Sequence, residues 1–385
     1  MKYSYLYKRH YAYVMKIKAT LIACTVIIAA SCQNNDFPQG KWDGVTYGKL
    51  CSVIDANASD SPSYNKDERP YAIFDLDNTM VIGDLVKSLF RYQVMNLKFK
   101  FTPEQVHSVL SEGIPNLDMI IHKESITIGM LIDDVSDDYA YLYDNFIAGS
   151  TQGTSSLRFK DILKSNEYQD FCAKMIALSK GISKKFSYEK CCQWHLNALK
   201  GMNRYEADVL SKTAVQYLIS LGDIRTVSLQ SHFSGHCGIV KTHYREGIKV
   251  IPEMVSLMKR LRKKGFDIYV ISSSPEEMVE SIACNPEYGF NIAPENVYGT
   301  RIDADKDYIQ PVGLGKPLII KKNIMPQYGN REPVIIAGYC PNDQDMLTFL
   351  EKTQLVLVTE NGHDDCSRSH PKRGNRTYVH QVWDR

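Results

Sequence analysis

The chain opens its first buried segment at Tyr71-Ala72-Ile73-Phe74, four apolar residues in a row. A short continuous run of this kind predicts a strand covered on both faces, and the reading extends it over 71–77. From residue 85 to about 250 the pattern is mainly helical. Thr102-Pro103-Glu104-Gln105 combines an N-cap, a proline at the first helical position and a Gln three residues on. Trp194, Leu196, Leu199 and Met202 recur at helical spacing, and Tyr205 to Ile219 predicts a further helix. Gly and Ser clusters such as Gly149 to Ser156 break the region into short helices. After residue 250 the pattern alternates. Pro252 opens a helix with Met254, Leu257, Met258 and Leu261 on one face, and Gly265 ends it. A strand follows at 266–271, then a helix start at Ser274-Pro275-Glu276-Glu277, with Ser274 as its cap. Strands at 333–337 and 355–358 flank a helix beginning at Met346 to Leu350.

Strands alternating with helices predict an α/β fold, a doubly wound parallel (Rossmann-like) sheet. The helical block interrupts it, so the reading is a core of residues 66–90 and 245–385 with a large helical cap, 91–244, inserted after the first core strand. No internal repeat or low-complexity tract is evident.

The amino-terminal segment reads differently. Lys2, Lys8, Arg9, Lys16 and Lys18 precede an apolar run from Ala19 to Ala30, and no acidic residue occurs before Asp36. The run is short for a membrane span and has the character of a signal-peptide core; Met15 is an alternative start. It ends Ala29-Ala30-Ser31-Cys32, which resembles a bacterial lipoprotein box with Cys32 as the lipidated residue; ordinary cleavage near Ser31 is the other reading. Residues 1–32 are therefore expected to be a leader, and 33–65 a polar tether and lead-in. The expected location is the cell envelope, with a lipid anchor as the only membrane attachment, or else a soluble periplasmic or secreted form. Removing 32 residues leaves 353, with 41 basic against 44 acidic side chains, a net charge of −3. With no basic excess, nucleic acid is not expected as a partner. The chain has 10 Cys; an exported location permits disulfides, and with no Cys-x-x-Cys pair a structural zinc site is not expected.

The candidate chemistry starts at Asp75 and Asp77, which follow the first strand at i, i+2 and so share one side of an extended chain. Two acids at the end of a buried strand are costly unless a cation meets them. A metal ion with a phosphate group supplies that reason. The other polar groups follow later strands, the edge where open α/β sheets bind ligands. They are Ser272 and Ser273 after 266–271, Lys316 in Gly315-Lys316-Pro317, and Asp343 in Gly338-Tyr339-Cys340-Pro341-Asn342-Asp343-Gln344-Asp345. Each has an ordinary reading as well: a turn serine, a solvated lysine, a turn-forming aspartate. Gly313 to Lys316 lacks the spacing of a nucleotide-binding P-loop. Gly-x-Ser-x-Gly and His-Glu-x-x-His are absent. His363-Asp364-Asp365-Cys366 reads as a polar surface loop, and Trp194, Tyr139, Tyr141 and Tyr143 as core before a cage for a choline-like cation.

In this order the motifs resemble the haloacid dehalogenase superfamily of phosphohydrolases, over about residues 70–100 and 245–360. Asp75-Leu76-Asp77-Asn78-Thr79 is similar to its first motif, Ile268 to Pro275 to its second, Lys316 to its third and Gly338 to Leu347 to its fourth. Asp84-Leu85 and Ser272-Ser273-Ser274-Pro275 suggest the branch of phosphoserine and phosphorylcholine phosphatases. The resemblance implies Asp75 as nucleophile and Asp77 as general acid and base. It implies Mg²⁺ held by Asp75, the Asp77 backbone carbonyl and Asp343, or else Asp345. Thr79, Ser272, Ser273 and Lys316 would hold the phosphoryl group of a small phosphorylated metabolite. One position departs: Tyr339 stands where the family carries a metal-ligating Asp. The alternative is therefore a catalytically impaired envelope protein that binds phosphorylated ligands or a partner.

Overall fold

The computed structural model describes residues 37–62, 64–122, 125–147, 156–233, 235–302, 304–340, 342–361 and 376–383. The leader with Cys32, the Gly149 to Ser155 cluster and the His363 to Cys366 loop lie outside the described residues.

The strands in chain order are β1 (Tyr71–Phe74), β2 (Val81–Ile82), β3 (Ile120–His122), β4 (Ile126–Thr127), β5 (Arg225–Gln230), β6 (Lys241–Glu246), β7 (Lys249–Val250), β8 (Asp267–Pro275), β9 (Val297–Thr300), β10 (Ile335–Tyr339), β11 (Leu355–Glu360) and β12 (Thr377–Val382). Six of them form one sheet in the order β12-β11-β10-β1-β8-β9. β10 runs parallel to β1, β11 to β10, β12 to β11 and β9 to β8. The chain winds outward from β1 through β8 to β9, then returns to β10 on the other side of β1. The α/β fold expected from the alternation is thus the one observed.

Two compact units divide the chain, 1–75 with 251–269 and 320–384, and 76–250 with 270–319. In the first, β1 is buried at every residue, as its unbroken apolar run requires. Residues 44–56, within the span read as a polar lead-in, form a helix instead. Asp43 caps it by accepting from the backbone N–H groups of Val45 and Thr46, and Tyr47, Leu50, Cys51 and Ile54 are buried at helical spacing. It packs on β12 and β11, and Trp42 meets Trp383 edge to face with ring centroids 5.0 Å apart. The helix Pro252–Lys263 buries Met254, Leu257, Met258 and Leu261, the face read from the sequence.

The second unit holds the helices Leu85–Asn96, Pro103–Ser111, Ile128–Leu142, Asn166–Lys185, Tyr188–Leu196 and Arg204–Ser220. Phe90, Phe99, Phe101, Tyr139, Phe171 and Trp194 belong to its core. The Thr102 capping box is present. Unexpectedly, β5 and β6 pair as an antiparallel hairpin. The loop joining them is anchored by two buried carboxylates: Asp170 accepts from the backbone N–H of His232 and Phe233, and Asp134 from those of His236 and Cys237. Lys174 lies between them, 3.2 Å from Asp134 Oδ2, 3.4 Å from Asp170 Oδ2 and 3.5 Å from Asp138 Oδ2.

Candidate active site

In the first unit, the order of the sheet strands reverses between β1 and β10, and the carboxyl ends of such a pair form the ligand crevice of an open α/β sheet. Phe74 registers with Ala337, and the Asp75 N–H donates to the Ala337 carbonyl at 2.9 Å. Asp75 therefore leaves the sheet at the reversal point, buried. Beyond β10 the chain turns tightly. Asp343 N–H donates to the Tyr339 carbonyl at 3.0 Å, and Asp343 Oδ2 accepts from Tyr339 N–H at 2.8 Å. Gly338 permits this approach, since a Cβ there would lie 2.8 Å from Asp343 Cβ and 2.9 Å from its Oδ2. One oxygen of Asp343 is thus committed to the turn. The Tyr339 hydroxyl is hydrogen-bonded by the Asn361 amide, and Cys340 is disulfide-bonded.

In the second unit, the turn after Asp75 is wound around one carbonyl: Leu76 C=O accepts from the N–H groups of Thr79, Met80 and Val81. Asn78 sits at φ 56°, a left-handed conformation that Asn tolerates better than most residues, and its Oδ1 accepts from Gly83 N–H at 3.2 Å. The turn buries Asp77 and Thr79. Ser274 Oγ donates to Asp77 Oδ2 at 2.6 Å, which joins the first motif to the second. Ser274 is therefore not the expected helix cap. β8 runs on through Pro275, and the helix Glu276–Ala283 starts with no side-chain cap hydrogen bond. Ser272 Oγ accepts from Ser274 N–H at 3.2 Å, and Ser273 Oγ donates to the Pro311 carbonyl at 2.9 Å. The three serines thus order the strand end among themselves and their neighbours.

Lys316 is 3% exposed, so the solvated reading of this lysine gives way to a buried cation. Gly315 is fixed by sterics: a Cβ there would meet the Gln310 carbonyl oxygen at 1.8 Å. Glu276 accepts from Gly299 N–H, Arg301 Nε and the Tyr308 hydroxyl, bracing the loop that β9 enters. Sequence reasoning did not anticipate this network.

It also missed Lys87. Asp84 caps the helix Leu85–Asn96 by accepting from Lys87 N–H at 3.0 Å, and its other oxygen accepts from Lys87 Nζ at 2.7 Å. The Asp84 carboxylate raises the pKa of Lys87. Burial pushes the Asp84 carboxyl up, but the Lys87 charge and hydrogen bonds outweigh it and leave the group below its usual range. The signal was available as an i, i+3 acid–base pair at a helix start. Trp194 and Tyr139 are core residues, their polar tips donating to the Leu110 and Phe101 carbonyls. His195, with Nε2 2.7 Å from Ser179 Oγ and Nδ1 2.6 Å from the Cys191 carbonyl, is pulled down to about 3 by burial and is neutral.

Asp75, Asp77 and Asp343 are all buried. Carboxylate oxygens are the donors hard cations take, and Mg²⁺ commonly binds one or two carboxylates together with substrate phosphate. Each of these carboxylates is a donor of that kind. Among the described residues, no group of three or more His, Cys, Asp or Glu is gathered as a metal site.

No family model matches the chain. It is 24% identical over 280 residues to the phosphorylcholine phosphatase of Pseudomonas aeruginosa, an alignment taking in 72% of this chain and 60% of that enzyme. The chain thus spans about 60% of the length of the curated relative it matches. In fold it is similar to a conserved, functionally unknown protein of Anaerococcus prevotii, with a TM-score of 0.74 and 24% identity, covering 86% of this chain and 90% of the other.

Proposed function

We propose that the protein is a phosphomonoesterase of the haloacid dehalogenase type, acting on a small phosphorylated metabolite. The observation that carries this reading is the 2.6 Å hydrogen bond from Ser274 to Asp77. It gives the second carboxylate of the Asp75–Asp77 pair a fixed partner on the strand that carries the serine motif. In this reading Asp75 attacks phosphorus, forming a phosphorus–oxygen bond as the ester bond breaks. Asp77 gives its proton to the leaving oxygen, then takes one from the water that hydrolyses the aspartyl-phosphate. Ser274 orients Asp77 for both transfers. Ser272, Thr79 and Lys316 are assigned to the phosphoryl oxygens, whereas the hydroxyl of Ser273, expected among them, is given to the Pro311 carbonyl; the burial of Lys316 supports it as a fixed positive charge there. Asp75 and Asp77, with Asp343, are the residues that would hold Mg²⁺. The ion would supply charge neutralisation of the phosphoryl group, the main requirement of this chemistry. Turnover of p-nitrophenyl phosphate with and without Mg²⁺ tests the reading; no turnover in either condition rejects it.

A second reading has its own support. Tyr339 occupies the departing position with its hydroxyl engaged by Asn361, and Asp343 commits an oxygen to the turn. A protein that binds phosphorylated ligands without hydrolysing them would show phosphate-dependent thermal stabilisation and no turnover. Tyr339→Asp separates the two: gained activity at low Mg²⁺ marks a site short of one ligand. Export to the envelope with Cys32 lipidated remains part of the proposal. It is supported by the disulfide-bonded state of Cys51 and Cys340, which suits an oxidising compartment. Among the described residues no helix is long and apolar enough to cross a membrane.

A further inference from the structure

The segment from β9 to Lys316 is held at both ends by side chains that the mechanism above does not use. At its start stands the buried Glu276. Its Oε1 accepts from Arg301 Nε at 2.8 Å, and its Oε2 accepts from Gly299 N–H at 3.2 Å and from the Tyr308 hydroxyl at 3.0 Å. The Arg301 guanidinium also lies 4.2 Å from the Tyr308 ring centroid. At the far end Gln310 closes back on Arg301. Its Oε1 accepts from Arg301 N–H at 3.1 Å, and its Nε2 donates to the Arg301 carbonyl at 2.9 Å. The amide thus pairs with Arg301 as a residue of an antiparallel strand would, through one donor and one acceptor. The Gln310 backbone then meets the residue before Lys316. Its carbonyl accepts from Val312 N–H at 2.9 Å, and the Val312 carbonyl accepts from Gly315 N–H at 2.9 Å. A Cβ on Gly315 would lie 1.8 Å from the Gln310 oxygen. The neighbouring Pro311 carbonyl accepts from Ser273 Oγ at 2.9 Å, which ties the same turn to the end of β8.

Lys316 is buried, and a lysine carries its charge at the end of a flexible four-carbon stem. The place of its ammonium therefore depends on where the backbone at 315–316 is held. That backbone rests on Gln310, and Gln310 is fixed through Arg301 to Glu276. We infer that Gln310 is a positioning residue for Lys316, with Arg301 and Glu276 as its anchor: its pairing with Arg301 sets how well Lys316 meets a phosphoryl group. The inference rests on the phosphatase reading for the role of Lys316 and adds a residue to that site. A misplacement on the order of 1 Å at a group that holds a reacting centre costs up to about 100-fold in rate. Gln310 is itself exposed. An exposed residue with no such role is replaced with little effect on stability or turnover.

Gln310→Met keeps the reach of the side chain and removes both bonds to Arg301. The full chain is assayed for kcat/KM with p-nitrophenyl phosphate and for binding of inorganic phosphate by calorimetry. Gln310→Met should weaken both by about three- to tenfold, the scale of one hydrogen bond, with the melting temperature within about 2 °C of the wild type. The second arm repeats the substitution in Lys316→Arg, which keeps the charge but not the shape that the turn presents. If Gln310 acts through Lys316, Gln310→Met should cost less than about twofold in that background, because residues that act as a unit are not additive. A role confined to holding the loop would instead lower the melting temperature and give the same loss in both backgrounds. Unchanged phosphate affinity in Gln310→Met, or an equal loss in the two backgrounds, overturns the inference and leaves the phosphatase reading standing. Phosphate binding that shows the coupling without turnover of the ester supports the inference and rejects hydrolysis. No phosphate binding by the wild type rejects both.

Discussion

Lys174→Met removes the ammonium that three carboxylates surround. Lys174 is 2% exposed, and its nitrogen lies 3.2, 3.4 and 3.5 Å from oxygens of Asp134, Asp170 and Asp138. At such distances each pair interacts by about 4 kcal/mol at an effective dielectric of 20, and much of that offsets the cost of burying the ions. Leaving buried charge uncompensated costs about 3–5 kcal/mol, against a total stability on the order of 5–15 kcal/mol. The loss has a pH signature. Burial pushes Asp138 up to about 7, with the Asp170 and Asp134 charges adding to it and Lys174 opposing. Because its folded pKa is above the ordinary carboxylate value, protonation of Asp138 favours the fold. That contribution is fully present below about pH 4 and lost as pH rises through about 7. Lys174→Met should therefore cost most at pH 8 and less at pH 5, measured by urea unfolding. The β5–β6 loop, held by Asp134 and Asp170, should lose amide-exchange protection with it. A loss under about 1 kcal/mol at pH 8, or one independent of pH, would mean that Lys174 does not compensate these carboxylates.

Three further outcomes follow from named contacts. Gly338→Ala forces a Cβ to 2.8 Å from Asp343 Cβ and 3.0 Å from Met346 Cε, and should destabilise the protein by about 1–3 kcal/mol in chemical denaturation, with phosphatase activity falling as Asp343 shifts. Ser274→Ala removes the donor to Asp77 and should lower kcat by about 10- to 100-fold with little change in melting temperature; unchanged kcat would remove Ser274 from the mechanism. His195, held down to about 3, should show no imidazole titration between pH 5 and 8 by NMR, and the neutral ring's contribution to stability should fade as pH drops below its unfolded value.

Much of the fold was legible because the core strands and helices carry unmixed signals. Tyr71 to Phe74 is apolar at every position because both faces of β1 are covered, and Met254, Leu257, Met258 and Leu261 announce their helix by spacing alone. The hairpin was not legible. In β5 only Val227 and Leu229 face the core, half-buried, and in β6 Tyr244 and the paired Glu246 are the buried residues, so two polar strands lay hidden in a helical region. At the site, Asp75 and Asp77 declared themselves by occurring at the end of a buried run. The partners did not. Ser274 resembles a helix cap in sequence, and only the extension of β8 through Pro275 turns its hydroxyl to Asp77. Lys316 resembles any surface lysine until its burial is seen, and Asp343 reveals only in space that one of its oxygens serves the Tyr339 turn.

In the proposed mechanism Asp75 carries the phosphoryl group during turnover. Acid quenching of the protein during hydrolysis of a phosphomonoester, followed by mass spectrometry of the peptide spanning Tyr71 to Met80, measures this directly. A phosphoryl adduct on Asp75 is expected, absent from Asp75→Asn together with turnover. Steady turnover without that adduct, or undiminished turnover in Asp75→Asn, would contradict it.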